Sequence, residues 1–278
     1  MSVSSTDAPT TASADPISSR LLRSVRKRER FLLGILGVIS VLAVWELAVA
    51  AGWIRTSMMS SPTIVWDRII TELGGERLLP SLLVTFRAYL IGLGLATLIG
   101  IPIGFLGGWS KRASFLLEPW LAALNATPTV AIVPLIIIWL GIGQTSKVFI
   151  VFLFAIFPYA FNTMVGVRQA EAEFVDVAKS FGASRSKLIT SIVLPGLVPY
   201  LMTAARLAVG RALIGVVVAE LVASNTGLGF LISIAAGTFD TPLLIVAVLF
   251  VGGFGVIMTE LMKSIERRFD RWRPATGG

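Results

Sequence analysis

The chain has 278 residues, 55% of them hydrophobic and 14% charged, with a mean hydropathy of +0.84. That balance excludes an ordinary soluble domain and puts most of the chain in lipid. The absence of Cys and His removes a disulfide framework, a thiol nucleophile, an imidazole base and the usual zinc ligands. The formal charge of +8 lies in residues flanking apolar runs, not on a polar domain, so nucleic-acid binding is excluded as well.

Met1 to Ser19 are rich in Ser, Thr, Ala and Asp and predict a disordered N-terminus over 1–19. The basic segment 20–30 carries Leu21, Leu22 and Val25 among its charges. It reads either as an interfacial helix on an anionic leaflet or as a plain topogenic flank. Ala48-Val49-Ala50 mimics a cleavage site, but the apolar run 31–52 exceeds a signal h-region and is long enough to span roughly 30 Å of hydrocarbon. An uncleaved helix is expected.

Further apolar runs lie near 83–108, 122–141, 146–167, 197–222 and 243–262. With the first, they predict an all-α integral membrane protein of six transmembrane helices over 31–264, followed by a cytoplasmic tail at 265–278. Pro128 and Pro134 interrupt the third run and predict a kink or a late start there. Basic residues cluster before span one, after span two (Lys111, Arg112), between spans four and five (Arg168, Lys179, Arg185, Lys187) and after span six (Lys263, Arg267, Arg268, Arg271, Arg273). The alternate loops hold fewer, among them Lys147, so both termini are expected inside.

Charges that fall within spans include Glu46 in span one and Arg206, Arg211 and Glu220 in span five. Each needs water or a partner. One reading puts Arg206 or Arg211 on a pathway that attracts anionic cargo; the other pairs an arginine with Glu46 or Glu220 to fix packing. Asn125, Thr127 and Thr129 flank Pro128, where broken backbone either lines a cavity or is a proline distortion alone. With Arg206, Arg211 and Glu220 they form the expected substrate-pathway set. Gly92, Gly94, Gly100, Gly104, Gly107 and Gly108 crowd span two, for close packing or a sliding surface. Ser224 to Phe230 reads as an external turn, simple or in contact with a partner.

Residues 169–195 are too polar to span and too patterned to be slack. Phe174, Val177, Ala178 and Phe181 form an apolar stripe at helical spacing, and Glu171, Glu173 and Asp176 bias its early turns acidic. Gly182 supplies a stop, Ser184 an N-cap, and Leu188, Ile189 and Ile192 a second face before Leu194-Pro195. Two short helices about Gly182 are expected. Such an amphipathic element either docks a soluble partner or packs on the protein's own helix ends.

Asp176, Ala178, Gly182, Ile192, Leu194 and Pro195 resemble the coupling-loop signature of bacterial ATP-binding cassette importer permeases: an acidic residue with small residues, a glycine, then Ile-x-Leu-Pro. Asp176 stands for the usual glutamate and Val177 for an alanine. From about Ser61 to Trp272 the order of segments is similar to the branch serving nitrate, aliphatic sulfonates, taurine and bicarbonate. The stretches that carry this are Ser61–Val65, Gly100–Gly108, Glu118–Trp120, Ala126–Pro134, Trp139–Gly143 and Val217–Ile232.

The resemblance implies a type I ABC importer permease fold in a prokaryotic cytoplasmic (inner) membrane, working as a homodimer. It also implies two cassette ATPase subunits inside and an external solute-binding protein. Phe174, Asp176, Val177, Ala178, Phe181, Gly182, Ile192, Leu194 and Pro195 would be the ATPase-coupling residues. The chain has no GxxxxGK[ST] phosphate loop, so no catalytic residue is expected in it, and ATP and Mg would bind the partner. The competing class is a stand-alone secondary transporter or channel, which would show paired inverted repeats or ion-relay carboxylates.

Overall fold

The structure, a computed structural model, describes residues 16–55 and 58–269 and leaves the side chains of 16–28, 30, 31, 171–177, 179, 185 and 223 undescribed. It divides into two units, residues 1–63 and 64–278. In the first, α1 (Pro16–Ala50) runs unbroken from the basic segment through the apolar run. Of the disorder expected over 1–19, residues 1–15 lie outside the described residues, and 16–19 are instead the first turn of α1. Among the described residues Glu46 does not meet an arginine. Its carboxylate accepts from Thr63 N–H at 3.1 Å and Thr63 Oγ1 at 2.9 Å, at the start of α2 (Pro62–Leu73).

In the second unit the apolar runs become helices because only a helix satisfies its own backbone groups in lipid. They are α3 (Leu78–Trp109), α6 (Gln144–Ser180), α8 (Leu194–Ala223) and α10 (Thr241–Phe269). A β-carbon at Gly92 would meet Val151, one at Gly100 Tyr159, and one at Gly108 Val167. The residue numbers rise together, so α3 and α6 are parallel. Gly166 faces Leu197 and Tyr200 while Gly215 faces Phe154, so α8 runs antiparallel to them. Phe254 of α10 packs edge-on against Tyr89 of α3 with centroids 5.1 Å apart, and Gly255 abuts Leu213 of α8. The end where α3, α6 and α10 finish gathers Lys111, Arg112, Arg168, Lys187, Lys263, Arg267 and Arg268, and is called the basic end below.

Two parallel neighbours need a chain that crosses back. Here α4 (Lys111–Ala126) and α5 (Thr129–Leu140) provide it, bent by 98° at Thr127-Pro128. Thr127 takes extended backbone because the following proline disfavours the helical region there. The kink expected at Pro128 is present as a break, whereas the expected start of the third span near 122 is corrected, since the helix begins at Lys111. Among the described residues five helices are long and apolar enough to cross a membrane, and the bent pair makes the sixth crossing.

Three other expectations change. The two short helices around Gly182 are not separate elements, because the first continues α6. The second is α7 (Arg185–Leu188) running through a π-helix, Ile189–Val193, into α8. Pro195 has no N–H to give the preceding turn, and a wider turn there, Leu194 N–H to Ile189 O, absorbs the mismatch. The external turn shrinks to Ser224–Gly227, since α9 (Leu228–Gly237) starts at once. Lys147 is no loop charge; it lies inside α6 and is buried.

The glycines of α3 other than Gly94 serve close packing. A β-carbon at Gly104 would stand 2.3 Å from the Ala160 carbonyl oxygen, whereas one at Gly94 would meet nothing within 4 Å. Helices in lipid gain little from apolar burial and associate by backbone proximity and dispersion, which small residues permit.

Candidate functional site

At the basic end, α6 closes on Gly182, whose φ of +74° is the left-handed conformation that glycine adopts without strain. Ala183 N–H reaches back to Ala178 O at 3.0 Å, the six-to-one bond of a Schellman motif. Ser184 then caps α7 as expected, its Oγ accepting from Lys187 N–H at 3.4 Å. Leu188 and Val193 turn inward, and Val193 packs with Val167 and Leu197. This fixes the bend to the body of the protein while Phe181 stays 87% exposed.

Beside Phe181 an open groove of about 660 Å³ is lined by Ala178, Gly182, Ala183, Ser184, Lys187 and Ile192. Of the residues expected to couple, Ala178, Phe181, Gly182 and Ile192 come together here. Leu194 is exposed and Pro195 half-buried at the start of α8. The side chains of Phe174, Asp176 and Val177 lie outside the described residues.

The expected pathway residues separate into three environments. Arg211 is exposed on α8 at the depth of Tyr89 and Phe254, and its Nη1 donates to Asn125 Oδ1 at 3.2 Å. Thr127 is exposed and Thr129 half-buried beside the α4–α5 break. Arg206 is paired across the helices with Glu266 of α10, nearer the basic end. So one arginine is taken up by packing and the other stands open with, among the described residues, a neutral partner in Asn125.

Glu220 lies elsewhere, sealed at the opposite end with 0% exposure. Thr85 Oγ1 of α3 donates to its carboxylate, with the oxygens at 3.0 and 2.8 Å. Gly229 N–H, in the first turn of α9, donates at 2.9 Å. Lys147 Nζ of α6, 2% exposed as a side chain, is 3.5 Å away and bonds more closely to Thr226 O at 2.5 Å. Thr85 Oγ1 in turn accepts Leu228 N–H at 2.9 Å.

A buried carboxylate thus joins α3, α6, α8 and the start of α9. The run Asn225-Thr226-Gly227-Leu228-Gly229 follows from this: a β-carbon at Gly227 would fall 2.0 Å from Glu220 Oε1, and one at Gly229 2.6 Å from Glu220 Cβ. Sequence reasoning counted Glu220 among pathway residues and sought an arginine for it. The true partner is a lysine 73 positions earlier.

Residues 100–271 match the family model described as binding-protein-dependent transport system inner membrane component. This chain belongs to that family. The permease is 31% identical over 229 residues to a probable ABC transporter permease of Brucella abortus, covering 82% of this chain and 90% of the relative. It is 31% identical over 237 residues to a permease of Escherichia coli K12 named for aliphatic sulfonate transport, covering 85% and 90%. A riboflavin transport system permease of Chloroflexus aurantiacus is 34% identical over 258 residues, covering 91% and 96%.

The six crossings, with α4 and α5 as the broken one, are those of a type I ABC importer permease in an inner membrane. A permease of such a system works with an ATPase and a solute-binding protein.

Proposed function

We propose that residues 169–195 are where this permease receives its drive: a cassette ATPase subunit docks on the groove beside Phe181, binds ATP and Mg, and carries out hydrolysis. The observation that carries this reading is the exposed Phe181 at a helix end that its own capping and the buried Leu188 and Val193 hold rigid. A large apolar ring in that position is suited to seating in a partner's pocket. Two copies of the permease with two ATPase subunits enclose one pathway, and the basic end faces the cytoplasm, as the charge bias favours. The N- and C-termini are then inside, and the binding protein delivers cargo from the other side.

The cargo is a small anion, such as a sulfonate, taurine, nitrate or bicarbonate. Arg211 supports this, since its guanidinium is the exposed cation near the α4–α5 break and Asn125 leaves it with hydrogen-bonding capacity. Overall likeness does not choose the cargo, because relatives named for sulfonates and for riboflavin match to similar extents. Arg211→Gln is expected to lower uptake of radiolabelled alkanesulfonate or taurine into proteoliposomes about tenfold, the scale of one lost charge-assisted hydrogen bond, with the complex still assembled. Unchanged uptake of every anion tried rules out the cargo role.

A further inference from the structure

The helix α4 carries a polar cluster that none of the roles above uses. Arg168 of α6, one residue before the segment 169–195, donates through Nη2 to Ser114 Oγ at 2.8 Å and to Glu118 Oε2 at 2.9 Å. Ser114 Oγ lies 3.0 Å from the same carboxylate oxygen, one turn away on α4. Two turns further on, at the other end of α4, Asn125 holds Arg211. From Glu118 to Asn125 the helix rises about 10 Å and stays helical through Pro119, so the two contacts are separate points on one continuous element.

The rest of α4 is lightly held. Leu121 is its buried residue, while Phe115, Leu116, Trp120 and Leu124 are exposed. Its ends are breaks: extended backbone at Ser110, and extended backbone at Thr127 followed by the 98° turn into α5. A helix with a break at each end, tied to α6 through Ser114 and Glu118 and to α8 through Asn125, passes displacement from one tie to the other.

We propose that α4 is the connecting rod of the permease. Arg168, through Ser114 and Glu118, hands motion of the segment 169–195 to α4, and Asn125 passes it to Arg211 in the pathway. Glu118 and Arg168 are positioning residues in this scheme, and it rests on the reading that 169–195 receives the ATPase. When the partner moves the end of α6, Arg168 draws the base of α4 with it, and the Asn125–Arg211 contact is made or released. The guanidinium is then offered to cargo in one state and occupied in the other.

The test uses the complete complex of permease, ATPase and solute-binding protein in proteoliposomes, reading ATP hydrolysis with and without loaded binding protein. Glu118→Gln is expected to lower the stimulated rate about tenfold, in the range of ordinary coupling between sites, with basal hydrolysis and yield of complex unchanged. The exchange of charges, Glu118→Arg with Arg168→Glu, is expected to recover most of the stimulation, which a general loss of stability would not do. Ser114→Ala, the milder variant, is expected to fall between Glu118→Gln and the parent.

Stimulation at the parent level in Glu118→Gln, equal loss of basal and stimulated rates, or no recovery on charge exchange each overturns the rod. A parent complex without any stimulation overturns the coupling reading itself, and the rod with it. A stimulated parent with insensitive variants overturns the rod alone.

Discussion

Replacing Glu220 with alanine is expected to destabilise the permease by about 3–5 kcal/mol, the cost of removing one member of a buried ion pair. Three groups lose their partner at once. Lys147 keeps its ammonium buried with Thr226 its remaining partner among the described residues, Thr85 loses an acceptor, and Gly229 N–H at the head of α9 is left without its carboxylate. Glu220→Gln keeps an oxygen for Gly229 and Thr85 and is expected to lose well under half as much. Thermal unfolding of the detergent-purified protein measures both. A Glu220→Ala variant as stable as Glu220→Gln would show that the hydrogen bonds from Thr85 and Gly229 do not hold the joint, and a Glu220→Gln variant as stable as the parent would show that the charge pair does not.

The second large effect is expected at Gly104. Valine there forces α3 and α6 apart, because the first added carbon already overlaps the Ala160 carbonyl and lies 2.7 Å from Thr163 Cβ. Overpacking against backbone has no flexible atom to yield, so a loss of about 3 kcal/mol or more is expected. Gly94→Ala is the internal control. With open space around it, the added methyl is expected to be neutral or to stabilise the helix by about 0.5 kcal/mol. Equal behaviour of the two variants in a denaturation series would mean that the α3–α6 seam does not set the stability of the bundle.

Much of this was legible because lipid simplifies the code. Each run of apolar residues had to become a helix, so crossings, the break at Pro128 and the cap at Ser184 could all be read from local pattern. Pairings across the bundle could not. Lys147 looks like a loop charge because it stands a few residues from Gly141 and Gly143, and only the packing of α6 against α8 brings it to Glu220. Arg206 and Arg211 are equivalent by sequence. They differ because Arg206 pairs with Glu266 of α10, while Arg211 donates to Asn125 of α4.

The coupling segment was legible in part. Its glycine stop, cap and exposed phenylalanine were foreseen, but the continuity of α6 with the segment was not, since polar residues suggested an end where the helix simply leaves the apolar layer. That continuity matters to function. A force applied near Phe181 acts on the same helix that carries Arg168, Thr163 and Val151, with no loop between to absorb it. The glycine signal at 225–229 was present in the sequence as well. It read as a turn because the carboxylate that requires those glycines approaches from α8, across a chain reversal.

The claim that 169–195 receives the ATPase is tested most directly at position 181. The chain has no cysteine, so Phe181→Cys introduces its only thiol, to which a benzophenone maleimide can be attached in the complete complex. Leu83→Cys, exposed on α3 towards the opposite end, serves as the control. On irradiation, label at 181 is expected to cross-link to a polypeptide that mass spectrometry identifies by its phosphate-loop sequence as the cassette ATPase, and label at 83 is expected not to. Cross-links from 181 confined to the permease itself, or a pattern the same as that from 83, would contradict the account.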